Sequence, residues 1–150
     1  MIKKELDSVK LFHKKFNIDY FNEPKANIPE EIKELRFKLM EEENLEYLKA
    51  TKENDLVEIA DALGDMLYIL CGTIISHGLQ NKIEEIFQEI QSSNMSKLGD
   101  DGMPIYREDG KVLKGPNYFK PDIRKILKLY SYLLPTSNRR GLELNCIEFL

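Results

Sequence analysis

Two stretches of the sequence place carboxylates at spacings that bring side chains to one face of a helix. The first stretch is EEENLE and the second is EIADALGD. Residues three or four positions apart lie side by side on a helix, so each stretch presents a row of acids. The six acids of interest are Glu42, Glu43, Glu46, Glu58, Asp61 and Asp65. If the two helices pack as an antiparallel pair, their carboxylates face each other.

The second stretch gives the stronger argument for a bound cation. Asp61 and Asp65 lie within the most apolar helical segment of the chain, and aspartate is a poor helix former. Buried like charges repel each other unless a cation compensates them, and residues 55–77 contain no Lys or Arg. A hard divalent cation with oxygen ligands would compensate them. Carboxylate-rich sites of this kind suit Mg²⁺ or Mn²⁺.

Simpler interpretations of the same acids stay open. Acidic runs commonly mark a solvated helix face, and Glu41 is interpreted in that way. Glu58 stands three residues after Asp55 and has a ready role in a helix cap. A di-iron site would require a Glu-x-x-His motif, which the sequence lacks. The stretch DDGMPIYREDGK does not have the spacing of a calcium-binding EF-hand.

The elements that must position these acids are predicted to be helices. Apolar residues recur every three or four positions, and residues that favour helix ends stand at Pro29, Asp55 and Gly78. Asp55 together with Glu58 predicts a capping box. The predicted helices cover residues 2–16, 29–51, 55–77, 82–93 and 121–133.

Each predicted helix has an apolar row that is expected to face the core. On the second helix the row leads directly into the acids, so its apolar face turns acidic midway. The rows predicted to face inward are Ile32, Leu35 and Leu39 on the second helix, Leu56, Ile59, Leu63, Met66 and Leu70 on the third, and Ile83, Phe87 and Ile90 on the fourth.

Little of the sequence suggests β-structure. The stretch REDGKV predicts a tight hairpin, because Asp-Gly suits a type I′ turn. The predicted fold class is therefore all-α, a four-helix bundle with an added C-terminal helix and a small irregular hairpin loop. Residues 1–133 are predicted to form a single domain, and residues 134–150 an irregular tail.

Composition and charge narrow the functional classes. A chain of 150 residues with a formal net charge of −4 corresponds to one acidic domain and argues against a general nucleic-acid binder. No apolar run approaches the roughly 18 residues of a membrane span, and the N-terminus does not resemble a secretory signal. Two distant cysteines and two histidines provide no zinc cluster. A cytoplasmic location is expected.

Three stretches together resemble the all-α NTP pyrophosphohydrolase superfamily, which includes MazG, the dimeric dUTPases and phosphoribosyl-ATP pyrophosphohydrolase. They are RFKLMEEENLEYLKA, DLVEIADALGDMLYILCGTIISHG and SNMSK. The MazG-like branch is the most similar, because of DGKVLKGPNYFKPD. The family motif is Glu-Glu-x-x-Glu on one helix and Glu-x-x-Asp on the next. Glu42, Glu43 and Glu46 match the first part. Either Asp61 with Asp65 or Glu58 with Asp61 supplies the second, and the first pair is favoured because its members share a face.

The resemblance implies a reaction and a cofactor. Members hydrolyse a nucleoside triphosphate between the α and β phosphates, releasing the monophosphate and pyrophosphate. Mg²⁺, with Mn²⁺ as an alternative, would be held by the six acids. The cation would offset the repulsion between these carboxylates and the negatively charged triphosphate. Glu42 or Glu43 is expected to orient the attacking water. A non-catalytic nucleotide-binding or interaction module on the same bundle is the alternative from another class.

The resemblance also implies a substrate-binding set and an assembly. Asn94 and Lys97 match the nucleotide-contacting end of the fourth helix, and loop lysines are expected to close over the triphosphate. The substrate-binding candidates are Asn94, Lys97, Lys111, Lys114 and Tyr118. Pyrimidine deoxynucleotides, non-standard nucleotides and phosphoribosyl-ATP are the possible substrates. A homodimer or homotetramer is expected, without nucleic-acid or membrane partners.

Overall fold

The computed structural model describes residues 2–128, and these form helices without a β-strand. The predicted all-α class is confirmed. The five helices of the described chain are α1 (Lys3–Lys15), α2 (Glu30–Glu53), α3 (Leu56–Ser76), α4 (Ile83–Met95) and α5 (Ile123–Ile126). The predicted tail and the end of the predicted fifth helix lie outside the described residues.

The described chain forms two compact units, one ending at Glu84 and the other beginning at Glu85. The first unit contains α1, α2 and α3, and the second contains most of α4 together with the loop that follows it. The expectation of a single domain over residues 1–133 stays a prediction.

The core of the first unit lies between α1 and α3. On α1, the spacing of Leu6 and Val9 places both side chains on one face. They pack against Cys71, Ile74 and Ile75 of α3, and all five side chains are buried. The apolar residues at helical spacing in this segment are thus buried only in part, since Phe12 and Phe16 further along are 38% and 63% exposed.

α2 and α3 form an antiparallel hairpin. Asn54, in the left-handed conformation with φ 55°, ends α2, and Asp55 begins α3. A connection this short makes the two helices neighbours that run in opposite directions. Position 72 of α3 lies against Arg36 of α2, and Asp65 of α3 acts on Glu43 of α2. A step of seven residues back along α3 therefore matches a step of seven residues forward along α2, as expected for antiparallel helices.

The two ends of α3 follow the predicted signals, with one difference. The Asp55 carboxylate accepts hydrogen bonds from the backbone N–H groups of Val57 and Glu58, which confirms the N-cap. The Asp55 N–H donates to the Ala50 carbonyl, so the hairpin turn takes the place that Glu58 would have in a full capping box. Gly78 ends the helix with φ +68°, as expected for a C-cap glycine.

The inward faces of α2, α3 and α4 were only partly predicted. Leu35, predicted to face the core, is 49% exposed, and the neighbouring Arg36 is buried in its place. The other predicted core residues found to be exposed are Leu56, Leu63, Leu70, Phe87 and Ile90. α3 is apolar on more than one face, so its sequence pattern does not identify which row the chain itself covers.

α3 is also the described helix that is long and apolar enough, by length and composition, to cross a membrane. The expectation that no segment approaches this length is therefore wrong. Length and composition of this kind are shared by core helices of globular proteins, and α3 packs against α1 and α2. It also carries Asp61 and Asp65 within its length.

The predicted hairpin in the second unit is reduced to one antiparallel bridge, between Tyr106 and Val112. The Gly110 N–H donates to the Arg107 carbonyl, and Gly110 has φ +84°. Asp109 is not among the residues of positive φ, whereas a type I′ turn needs two in succession. The turn is therefore of type I followed by a glycine, and the prediction of type I′ was wrong.

Candidate active site

Glu43 lies at the centre of the acidic face of the first unit. Its side chain is half-buried on the side of α2 that faces α3, whereas Glu42 and Glu46 are exposed. One carboxylate oxygen, Oε2, is buried without a hydrogen-bond partner. A buried acceptor without a donor is unusual in folded proteins, and a cation or a water molecule would satisfy it.

The electrostatic surroundings of Glu43 consist of other acids. Burial raises the pKa of Glu43, and so do the carboxylates of Glu46, Asp65, Glu42 and Asp61, in that order. Among residues 2–128, no lysine or arginine lowers the pKa of Glu43. The fold therefore places Glu43 within electrostatic reach of four other predicted acids, two on α2 and two on α3.

Glu58, the sixth predicted acid, does not act on Glu43. It stands in the first turn of α3, where its backbone N–H is held by Asp55. The arrangement thus places Asp61 and Asp65 opposite Glu43. Which pair completes the second motif stays a prediction.

The acids fit a divalent cation in chemistry, although their side chains do not converge as they stand. Among residues 2–128, no three His, Cys, Asp or Glu side chains are grouped closely enough to hold a metal ion. Without a cation, repulsion favours carboxylates that point apart. All of the donors are hard oxygens, and Glu42, Glu46, Asp61 and Asp65 are exposed, so rotation about side-chain bonds can bring them together.

The predicted substrate-binding residues belong to the second unit. Asn94 and Lys97 are half-buried at the end of α4, and the Lys97 N–H donates to the Asn94 carbonyl. The Lys114 ammonium lies 4.8 Å from the centre of the Tyr118 ring, a cation–π contact. Lys111 follows the Gly110 turn. The unit therefore gathers three lysines and an aromatic ring on α4 and its loop.

Two serines and a glycine, which the sequence analysis did not single out, fix part of this loop to α4. The buried Ser93 hydroxyl donates to the Phe119 carbonyl at 2.8 Å, and the Phe119 N–H donates to the Ser96 hydroxyl at 3.1 Å. The Gly115 N–H donates to the Lys97 carbonyl. A Cβ at Gly115 would lie 2.1 Å from the Leu98 carbonyl oxygen, so only glycine fits there. The loop after Lys114 is thus held firmly against α4.

Comparison with known proteins identifies the family. Residues 9–94 match the family described as phosphoribosyl-ATP pyrophosphohydrolase. The chain belongs to this family. The match spans α2 and α3 with all six acids, and it ends at Asn94 on α4. The protein is accordingly a hydrolase that acts on pyrophosphate bonds, with the fold of the all-α NTP pyrophosphohydrolases.

A solved structure and the curated proteins complete the comparison. The chain is 28% identical to a protein from Exiguobacterium sp. 255-15 whose crystal structure is described as that of a "putative NTP pyrophosphohydrolase". The alignment covers 83% of this chain and 92% of that one, with a TM-score of 0.44. No curated protein matches the sequence.

The pyrophosphohydrolase also contains a buried cation that sequence reasoning missed. Arg36 is 9% exposed and His13 is 2% exposed, and Arg36 Nη2 lies 3.2 Å from His13 Nε2. Because a guanidinium can only donate, His13 accepts through Nε2 and carries its proton on Nδ1. Burial lowers the pKa of Arg36, and burial followed by the Arg36 charge lowers the pKa of His13.

Gly72 makes room for this pair. A Cβ at position 72 would lie 2.8 Å from Arg36 Nη1 and 3.3 Å from His13 Nε2. The cluster of His13, Arg36 and Gly72 therefore joins α1, α2 and α3 at one point. An arginine within an otherwise apolar row, and a glycine within the most apolar helix, were the signals in the sequence that could have indicated it.

Proposed function

We propose that this pyrophosphohydrolase is a Mg²⁺-dependent enzyme that cleaves a nucleoside triphosphate between its α and β phosphates. The observation that carries the proposal is Glu43, a half-buried carboxylate on which four other carboxylates act and no lysine or arginine of the described chain does. Negative charge gathered in this way costs stability, and a triphosphate would add more. Cations that bind both the acids and the phosphates resolve that conflict.

Mg²⁺ would be held by Glu42, Glu43, Glu46, Asp61 and Asp65. Glu58 would be a further ligand if these side chains rearrange. When bound, the metal would neutralise phosphate charge and polarise phosphorus. Glu43 has the environment of a general base, because a carboxylate with a raised pKa accepts a proton more readily at neutral pH. Its role is to orient a water and accept its proton as the water oxygen bonds to the α phosphorus and the bond to the pyrophosphate oxygen breaks.

The second unit supplies groups that suit the substrate. Lys97 and Lys114 would neutralise phosphate oxygens, and Asn94 would donate a hydrogen bond to the sugar or a phosphate. The Tyr118 ring, with Lys114 beside it, offers a surface on which a base can stack. Lys111 completes this set.

The candidate substrates are nucleotides that contain an α–β phosphoanhydride bond. Phosphoribosyl-ATP, which the family description names, contains the same α–β anhydride as dUTP, dCTP and dTTP. Hydrolysis of either kind gives a monophosphate and pyrophosphate. The resemblance to MazG-like proteins favours pyrimidine deoxynucleotides or non-standard nucleotides.

The test is a panel of nucleotides incubated with Mg²⁺, Mn²⁺ or EDTA, with pyrophosphate and orthophosphate measured separately. Pyrophosphate release that requires the metal, from one or a few members, is expected. Release of orthophosphate alone would assign cleavage to another bond. Nucleotide binding without any hydrolysis across the panel would support the binding-module alternative.

Variants on α3 separate the two interpretations of the second motif. Asp65→Asn and Asp61→Asn each remove a ligand charge and keep the side-chain shape, so activity should fall at least about a hundredfold. Glu58→Gln should have the smallest effect of the three, because Glu58 does not act on Glu43. Loss of activity in Glu58→Gln with full activity in Asp65→Asn would assign the motif to Glu58 and Asp61.

A further inference from the structure

Two serines at the end of α4 hold the backbone of the loop that follows it. The Ser93 hydroxyl, in a residue that is 4% exposed, donates to the Phe119 carbonyl at 2.8 Å. The Ser96 hydroxyl donates to the Ser93 carbonyl at 2.7 Å and accepts the Phe119 N–H at 3.1 Å. Ser93, Ser96 and Phe119 therefore form a closed set of hydrogen bonds within the second unit, the serine bridge.

Further hydrogen bonds hold the rest of the same loop segment. The Gly115 N–H donates to the Lys97 carbonyl at 2.9 Å, and the Tyr118 N–H donates to the Gly115 carbonyl at 3.2 Å. The Asn117 amide donates to the Asp100 carboxylate at 2.8 Å. The segment is thus bonded at both ends and in the middle, and its backbone is restrained along its length.

The bonded residues stand next in sequence to predicted substrate-binding residues. The neighbouring pairs are Ser93 with Asn94, Ser96 with Lys97, Gly115 with Lys114, and Phe119 with Tyr118. A hydrogen bond that fixes the backbone also fixes the point from which the adjacent side chain extends. The bonds therefore restrain every predicted substrate-binding residue except Lys111.

Packing of Phe119 itself does not account for the serine bridge. The Phe119 ring is 43% exposed, so the two serines fix a stretch of backbone whose own side chain lies outside the core. The adjacent Tyr118 ring is half-buried and lies 4.8 Å from the Lys114 ammonium. The consequence of the bonds is the fixed placement of Lys114 and Tyr118 on α4.

Fixed placement of binding groups favours affinity. A loop that is ordered before the substrate arrives loses less conformational entropy on binding than a mobile loop does. Supporting hydrogen bonds also keep binding groups in the geometry that the ligand requires. The serine bridge has the form of such a support, because it contacts the backbone and leaves the neighbouring side chains to meet the ligand.

We infer that Ser93 and Ser96 are positioning residues, which act on the substrate through Lys114 and Tyr118 and do not touch it themselves. The inference rests on the proposed function, since it requires that these two residues bind the phosphates and base of a nucleotide. The serines affect binding and not the chemical step, because the acids around Glu43 are the groups proposed to activate the water. Loss of the serine bridge should therefore raise KM and leave kcat nearly unchanged.

Alanine variants of three neighbouring serines test the inference. Ser93→Ala removes the hydroxyl that donates to Phe119, and Ser96→Ala removes the hydroxyl that accepts from it. Ser92→Ala removes an exposed hydroxyl one position away and is the matched control. KM and kcat are measured for dUTP, dCTP and dTTP with Mg²⁺, and circular dichroism and melting curves check the fold. Ser93→Ala should raise KM about five- to tenfold with kcat within about twofold of wild type, whereas Ser92→Ala should change neither.

A double-mutant cycle separates positioning from a merely structural role. A protein that carries Lys114→Met and Tyr118→Leu lacks the side chains that Ser93 places. Ser93→Ala should change KM by less than about twofold in that background, because residues that act through one another are not additive. An equal rise of KM in both backgrounds, or an equal KM for Ser93→Ala and Ser92→Ala, would overturn the inference. If Ser93→Ala does not fold, Ser96→Ala takes its place in the cycle.

The same variants distinguish failure of this inference from failure of the proposed function. Hydrolysis by Ser93→Ala with the wild-type KM would refute the positioning role and leave the enzymatic activity standing. If the wild type hydrolyses none of the three nucleotides, isothermal titration calorimetry of their Mg²⁺ complexes gives Kd in place of KM. A Kd raised about five- to tenfold by Ser93→Ala and unchanged by Ser92→Ala would then support positioning without hydrolysis. Equal Kd values, or a wild type that binds none of the three, would refute it.

Discussion

Glu43 and Arg36 lie on one helix, seven residues and about 10 Å apart, and their situations are opposite. Burial raises the pKa of the Glu43 carboxyl, and four neighbouring acids raise it further. Burial lowers the pKa of the Arg36 guanidinium, and its contact is the imidazole of His13. Glu43 is a carboxyl among other acids, whereas Arg36 is a buried guanidinium whose side-chain contact, within residues 2–128, is to a histidine.

The comparison indicates how the fold separates two tasks on one helix pair. If stability alone governed α2, an acid and a base at this spacing could approach within the hairpin and compensate each other. Instead, each is held by its own surroundings, Glu43 opposite Asp61 and Asp65, and Arg36 in the space above Gly72. Under the proposed function, the acidic end would be the part of the hairpin that binds cations and phosphates.

The largest expected effect is the loss of hydrolytic activity when Glu43 is substituted. Glu43→Gln keeps the shape of the side chain and removes its charge, so hydrolysis should fall at least about a hundredfold, equivalent to roughly 3 kcal/mol of transition-state stabilisation. Because like-charge repulsion is relieved, thermal stability without metal should stay level or rise. Steady-state kinetics and melting curves in EDTA measure the two quantities.

The matched control is Glu34→Gln, which removes an exposed carboxylate elsewhere on α2. It should keep wild-type turnover. A Glu43→Gln variant that is less stable and hydrolyses at the wild-type rate would show that Glu43 serves the fold and not the reaction.

The next largest effect is expected on the free energy of unfolding, when Gly72 beside Arg36 is substituted. Gly72→Ala places a methyl group 2.8 Å from a nitrogen of the Arg36 guanidinium, which must shift although it is buried against His13. Overpacking of this kind costs about 1–3 kcal/mol and should outweigh the roughly 1 kcal/mol by which alanine favours a helix. Urea unfolding at neutral pH measures the difference.

Gly64 of the same helix separates helix propensity from packing, because a Cβ added there would meet no atom within 4 Å. Gly64→Ala should stabilise the protein by about 0.5–1 kcal/mol. If both alanine variants are stabilised alike, Arg36 is mobile enough to give way, and the junction is not tightly packed.

The sequence predicted the acidic end better than the basic end, for physical reasons. Helices and carboxylate spacing are local properties, so the ends of α3 and the row of acids on each helix follow from periodicity of three and four. The approach of Glu43 to Asp61 and Asp65 also depends on the short connection at Asn54, which makes α2 and α3 antiparallel neighbours. The burial of Arg36 in place of Leu35 is decided by what α1 brings against α2, namely His13, and by the missing side chain at Gly72. Contacts between distant segments leave no periodic signal in a single sequence.

The exposed apolar row of α3 illustrates a second limit. Leu63 and Leu70 were predicted to be buried, and hydrophobicity alone gives no means to distinguish a face covered within the chain from one covered by a partner. The hydrogen bonds that Ser93 and Ser96 make to Phe119 were not predicted, because serines and glycines are common in loops. The bonds of Ser93 and Ser96 to the backbone of Phe119 become evident only when the loop is seen against α4.

The smallest expected effect is a pH dependence of stability at His13. Burial, and next the Arg36 charge, lower the pKa of His13 in the folded protein, whereas an unfolded histidine titrates near about 6.5. Below that pH the unfolded chain binds a proton that the folded one does not, so this contribution to stability is complete above about 6.5 and is lost as pH falls toward the lowered value. The loss approaches about 1.4 kcal/mol per pH unit for a single proton.

His13→Gln retains a hydrogen-bond acceptor for Arg36 without a titrating group. Urea unfolding of wild type and His13→Gln at pH 7.5, 6.5 and 5.5 should therefore show the wild type losing stability relative to the variant as pH falls. A constant difference between the two proteins over that range would mean that His13 titrates alike in both states, and that Arg36 does not keep it neutral.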